Sequence, residues 1–425
     1  MRRFGTGLTR RAPHSTRRRR FSTLMAGVGA ALLALSACSA PAPAQQDFAS
    51  WDQVVADAQG QTVRLWMYGG EEQGNAYVDK TLIPAAARLG VTLQRVPVAD
   101  TKDALNRVLT EVQAGTRDGT VDLVWVNGDN FGTGQQAGAW SCGWTDLLPN
   151  MGLTNPADPL LANDFGTPVD GCEAPWHKAQ FTIAYNSATV TDPPHTLAGL
   201  LDWAQEHPGR FTYPAPPDFT GSVFTREVLN SVSGGYQNVP LQYDQKAFDR
   251  LTPALYSRLK ELAPALWRQG KTYPKTSAEL NALYAGGQVD FTMTYGPAEL
   301  TKLVADGTYP AATQVLTLTE GTVGNASFLA MPATSGHQAG AMVVANLALS
   351  PEQQAAKADS RVWGQFTVLD TAKLDPAQRA LFAKLPQSPV VPSYEVLSQN
   401  ASPELSAAWV PALDDAWRRL VLTGR

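Results

Sequence analysis

Cysteine, histidine and charge are all scarce in this chain. Three Cys and five His among 425 residues leave little material for a metal centre. No Cys-x-x-Cys pair occurs, and His14, His177, His195, His207 and His337 are scattered, so no metal site is expected. The Gly-x-Ser-x-Gly elbow, the His-Glu-x-x-His helix, the phosphate-binding P-loop and the Gly-x-Gly-x-x-Gly fingerprint are also missing. Hydrolase, zinc-protease and nucleotide chemistry of those kinds therefore have no support, and no cofactor is expected. Glu71 and Glu72 are adjacent and would point apart on any regular element, so they do not make a catalytic carboxylate pair.

What is present begins with an address. Eight Arg and no acidic residue lie in the first 37 positions, followed by an apolar stretch over 24–35 and the tetrad Leu35-Ser36-Ala37-Cys38. The apolar stretch is shorter than the roughly 20 residues a membrane span needs, and the pattern reads as a secretory signal. The tetrad resembles a bacterial lipobox, which implies cleavage before Cys38 and lipid attachment to its sulfur; the alternative is plain cleavage with Cys38 left as a thiol. Losing the leader takes the formal charge from −4 to −12. So acidic a chain does not suit nucleic acid or an anionic membrane as its main partner. Residues 38–50 are expected to be a tether, rich in Ala, Pro and Gln. Cys142 and Cys172 then remain, an even number in an oxidising compartment, and a disulfide is the default over two buried thiols.

Residues 121–131 hold the pattern the rest is organised around. Asp122–Val126 has the apolar, β-branched and aromatic content of a buried strand. It stops at Asn127-Gly128-Asp129-Asn130, four residues that favour turns and precede Phe131. In open α/β sheets, ligands sit beyond the carboxyl ends of strands. Strand-like runs at 62–68 and 91–98 alternate with helical periodicity over 75–89 and 102–114, the signature of a doubly wound α/β lobe. The stretch 135–172 shows little periodicity and reads as irregular cover. A second set of strand–loop–helix units starts after Asn186, with strands expected at 211–213, 289–294 and 313–318. The segment 248–267 is expected to be two helices, because it contains Pro253 and Pro264.

Several runs together resemble the YnjB-type solute-binding proteins of bacterial ABC transporters. They are Tyr68-Gly69-Gly70 with Asn75, the run 122–131, Leu148-Pro149-Asn150, Glu173-Ala174-Pro175-Trp176 with Lys178-Ala179-Gln180, Tyr185-Asn186 and the run 214–222. Asp129 stands where the family pattern has Glu, and His177 where it has Gly. The resemblance implies a type II periplasmic-binding-protein fold: two α/β lobes joined by crossing hinge strands, with a small solute held in the cleft between them. Lobe one would comprise 51–183 plus 313–348, and lobe two 187–310 plus 349–425, hinged about 183–186 and near Thr313. It also implies an exported, lipid-anchored monomer that delivers its solute to a membrane permease and its ATPase. Thiamine-like or other small nitrogenous compounds are the suggested solutes.

The ligand-binding candidates follow. Tyr68, Gly69, Gly70, Glu71 and Asn75 sit at the end of the first strand, and Asn127, Gly128, Asp129, Asn130 and Phe131 at the end of the third. Trp176 precedes the expected crossing at Tyr185, Tyr295 ends the strand expected at 289–294, and Asn325 lies in the late crossover turn. Asp218, Phe219, Thr220, Gly221 and Ser222 open a helix, where N-capping alone could explain them. Aromatic faces suit a cation or heterocycle. Glycine loops and helix starts suit an oxyanion, so an oxyanion receptor stays open as an alternative, as does a secreted two-lobed enzyme.

Overall fold

The computed structural model describes residues 46–423. The leader and Cys38 lie outside them. Part of the expected tether does not: the Gln46 N–H donates to Gln338 at 3.0 Å and Phe48 packs on the adjoining core. Ordered chain therefore starts before Trp51.

Strand β1 (Thr62–Tyr68) buries Val63, Leu65 and Met67 on one face, the period-two pattern of a sheet over a core. It pairs in parallel with β2 (Thr92–Val98) and with β3 (Leu123–Val126). A two-residue ladder joins β4 (Asn163–Asp164) to β5 (Thr167–Pro168). Strand β6 (Glu173–Gln180) lies antiparallel to β10 (Val323–Ala330), which is antiparallel to β3 and carries the short β11 (Ser402–Pro403) at its start. The first sheet thus runs β11-β10-β3-β1-β2, with β6 also on β10. The second sheet is small and antiparallel about its centre: β7 (Thr182–Asn186) lies between β8 (Phe291–Thr294) and β9 (Thr313–Val315).

The chain crosses between the sheets at Phe181 and again over 316–322, and the crossings are bonded to each other. The Phe181 N–H donates to the Val323 carbonyl at 2.9 Å, and the Gln180 side chain donates to the Thr322 carbonyl at 2.7 Å. One core lies about the second sheet, and two lie about the first.

Several expectations need correction. Thr313–Val315 pairs with β7, so the segment 313–348 enters the first lobe only from Val323. The C-terminal part divides: Leu349, Trp363, Val368 and Leu374 belong to a first-lobe core, whereas Val390, Leu405, Trp409 and Trp417 belong to the second-lobe core. Residues 211–213 are buried but pair with no strand. The helix Gln245–Leu262 runs through Pro253, which lies on its exposed side, and the break falls at Ala263. Cys142 and Cys172 are bonded, 30 residues apart.

Candidate functional site

Two chambers meet where the carboxyl ends of the first sheet face helix starts of the second lobe. Both are lined by Asn127 from the end of β3 and Phe219 from the start of the helix Phe219–Val232. The candidate loops therefore share one crevice. The larger chamber holds about 770 Å³ and the other about 630 Å³, the range of small-molecule sites.

The structure sorts the candidates into lining and support. Tyr68, Gly70, Glu71, Asn127, Phe219, Tyr295 and Asn325 line the smaller chamber. Asn127, Gly128, Asp129, Asn130, Phe219 and Ser222 line the larger. The rest shape the walls from behind. Gly69 donates to the Val98 carbonyl at 2.9 Å, and its own carbonyl accepts from the Asn75 amide at 2.8 Å. A Cβ at Gly69 would stand 2.8 Å from that of Pro97, too close for any side chain. Asp218 caps its helix, accepting from the N–H groups of Thr220 and Gly221 at 3.0 and 3.1 Å, and also accepts from the Ser277 hydroxyl at 2.8 Å. A Cβ on Gly221 would meet the Pro214 carbonyl, so glycine permits the close approach there.

Three candidates are core or sheet residues. Phe131 is fully buried, stacked on Trp140. Trp176 is fully buried as well. The ladder passes from Ser327 opposite His177 to Phe328 opposite Pro175, so Trp176 has no partner strand residue and forms a bulge. That extra residue turns Trp176 into the core and leaves His177 on the cleft wall. Tyr185 packs on Phe291 in the second sheet and lines neither chamber.

Lining residues outside the candidate set include Glu72, His177, Glu299, Lys302, Trp363 and Gln365. The rings of Trp125, His177 and Trp363 meet pairwise within 4.9–5.7 Å at steep angles, making an aromatic corner. Trp363 Nε1 donates to the Glu71 carboxylate at 2.5 Å, across 292 residues of sequence. No local pattern could have announced that contact. His177 did carry a signal, as a departure from the family run.

Charge in the cleft follows from burial. Desolvation pushes the Glu71 carboxyl up from its ordinary range; donors on Trp363 and Gln365 pull it back, and the charge of Glu299 pushes it further up. Burial raises Glu299 too, offset by Lys302. Burial holds His177 well below the usual imidazole range, helped by the charge of Lys357, so it is neutral. Tyr295 donates to Glu404 at 3.0 Å, and Glu404 is paired with Arg226 at 2.8 Å. In the larger chamber, Ser222 donates to both oxygens of Asp414 at 2.8 Å. Beneath it, both oxygens of Asp164 accept the Gly128 N–H at 2.8 Å, and burial pushes the Asp164 carboxyl to about 7. Gly128 adopts φ +63°, a conformation that favours glycine, and so turns its N–H toward that carboxyl. Among the described residues, no group of three or more His, Cys, Asp or Glu side chains is placed to hold a metal ion.

Two α/β lobes, crossing hinge strands and a cleft over the sheet ends define a type II periplasmic-binding-protein fold. Residues 84–388 match the family described as bacterial extracellular solute-binding protein, and the chain belongs to it. A curated relative, Protein YnjB of Escherichia coli (strain K12), is 37% identical over 371 residues, covering 86% of this chain and 92% of that one. An ABC transporter structure from Clostridium perfringens has TM-score 0.60 at 16% identity, covering 84% of this chain and 98% of the other. A spermidine/putrescine ABC transporter substrate-binding protein from Streptococcus pneumoniae has TM-score 0.60 at 15% identity, with the same coverage of both chains. Among the described residues, no helix is long and apolar enough to cross a membrane.

Proposed function

We propose that the protein is the receptor of an ABC importer: it captures a small, positively charged nitrogenous solute between its lobes and hands it to a membrane permease driven by an ATPase. The observation that carries this reading is the lining of the smaller chamber, where the aromatic residues Tyr68, Trp125 and Trp363 lie beside Glu71, Glu72 and Glu299. Aromatic faces and carboxylates both attract cations. The cationic side chains nearby are already engaged: Lys302 with Asp306 at 3.0 Å, and Arg226 with Glu404. That balance favours a cation over the oxyanion that the loops alone allow. The family supports a solute receptor, the spermidine/putrescine neighbour is named for cations of this class, and a thiamine-like compound also fits it. The role is binding without catalysis, in a monomer held at the outer face of the cell membrane by lipid on Cys38.

A thermal-shift screen over amines, thiamine, amino acids, sugars and oxyanions tests the reading. Solute at about 100 times Kd stabilises a one-site receptor by roughly 2.7 kcal/mol. A shift with a cationic nitrogen compound, recovered unaltered, is expected. A shift with sugars or oxyanions alone would overturn the solute class, and turnover of the bound compound would favour the enzyme.

A further inference from the structure

Glu71 and Glu299 come from opposite lobes. Glu71 ends the loop after β1, and Glu299 lies in the first turn of the helix Pro297–Ala305. Both line the smaller chamber. Glu71 is no loose surface acid, because Trp363 Nε1 holds its carboxylate at 2.5 Å. The charge of Glu299 acts on Glu71 across the chamber, a repulsion that a proton or a cation between them would relieve. His177 lines the same chamber, is 3% exposed, and its Nδ1 has no hydrogen-bond partner among the described residues. The chamber therefore holds a buried polar group without a mate as well as three acids, Glu71, Glu72 and Glu299, against one cation, Lys302, which is itself paired with Asp306. Glu72 and Lys302 also face it, Lys302 through its pair with Asp306, and so do the phenols of Tyr68 and Tyr295.

We propose that Glu71 and Glu299 form a two-sided seat for the positive nitrogen of the solute, so that the lobes shut only when a cation is clamped between them, with its flat or alkyl body against the Trp125–His177–Trp363 corner. The inference rests on the receptor reading and narrows it. The solute carries a permanent or protonated nitrogen charge beside an apolar or aromatic body. Zwitterions in which a carboxylate lies next to the ammonium are discriminated against, because that carboxylate would meet the same two acids. The seat also links affinity to pH. Desolvation raises both carboxyls, Glu71 further through the charge of Glu299 and Glu299 against the pull of Lys302, so acidification protonates them and releases the cation before an ordinary surface acid would respond.

The test uses the full chain and its Glu71→Gln, Glu299→Gln and double variants, with thiamine and putrescine as cationic probes and glycine, glucose and sulfate as controls. A cationic probe is expected to bind the wild-type protein. Each single variant should weaken that binding at least tenfold, and a shift from about pH 7.5 to about pH 5 should weaken it in the wild type more than in the double variant. Small-angle scattering without any solute is the second readout: the double variant, freed of the repulsion, should be more compact than the wild type at about pH 8. Equal affinity in Glu299→Gln, or a control solute binding while both cations fail, overturns the seat and leaves a receptor for another solute class. No binding by any probe, with identical solute-free scattering of wild type and double variant, overturns both seat and receptor.

Discussion

At the residue scale, burial separates the side chains that shape the cleft from behind from those that line it. Phe131 and Trp176 are fully buried, whereas Phe219 is 50% exposed at the cleft. Phe131→Ala or Trp176→Ala should each cost about 3–5 kcal/mol in chemical denaturation. Phe219→Ala should leave the denaturation midpoint nearly unchanged while weakening solute binding. Equal destabilisation by all three would contradict the division. Aromatic residues were legible in the sequence as candidates, but not which way each one faces. The turn of Trp176 into the core depends on a bulge set against Ser327 and Phe328, some 150 residues on.

Buried acids give this scale a pH signature. Burial raises Asp164 to about 7 and Glu227 to about 8, with the Gly128 and Val323 N–H donors pulling back. A carboxyl whose folded pKa is raised contributes stability that is fully present below its unfolded value, near 4, and is lost as pH rises through the folded value. These two groups therefore erode stability between about pH 4 and pH 8. Glu227→Gln keeps an amide oxygen for the Val323 N–H, which Glu227 accepts at 2.5 Å. Urea denaturation should find the variant near wild type at about pH 5 and more stable than wild type at about pH 8. An unchanged difference across that range would show that Glu227 does not titrate there.

At the scale of elements, the parallel β1–β3 unit and its helices were readable because strands and helices there keep clean periods of two and 3.6. Strand β6 was harder to see. Pro175 cannot donate to a ladder, and His177 and Lys178 interrupt any apolar run. Its place beside β10 comes from pairing across roughly 150 residues of chain. The opposite error occurred at 211–213, whose aromatic and β-branched residues pack into the second core without joining a sheet. The cover over 142–172 has few regular hydrogen bonds and depends on its staple. Closing a 30-residue loop stabilises by roughly 3–4 kcal/mol in the chain-entropy model. Reductant should accordingly lower the melting temperature and open Cys142 and Cys172 to alkylation. Full alkylation of both in the unreduced folded protein would refute the bond.

At the scale of the molecule, the two-lobed plan was legible from recurring strand–loop–helix units on either side of Tyr185, but the path of the C-terminal third was not. Its helices are amphipathic and separated by prolines, and nothing local states which core they join. The chain supplies Leu349, Trp363, Val368 and Leu374 to the first-lobe core and Val390, Leu405, Trp409 and Trp417 to the second, with β11 touching the first sheet between them, so further passages between lobes add to the two at Phe181 and 316–322. It also delivers Trp363 to Glu71, coupling a late segment to the first loop of the cleft. A hinge with more than two crossings still permits closure, since only a few residues at each crossing need to change φ and ψ.

The central claim is that this cleft holds one small cation. Native mass spectrometry of the protein purified without denaturation measures it directly. The account predicts a single stoichiometric small-molecule adduct, a nitrogen-containing cation once released, retained by the wild type and lost from Glu71→Gln. An adduct retained equally by that variant, or one that proves to be an anion or an uncharged sugar, would contradict it.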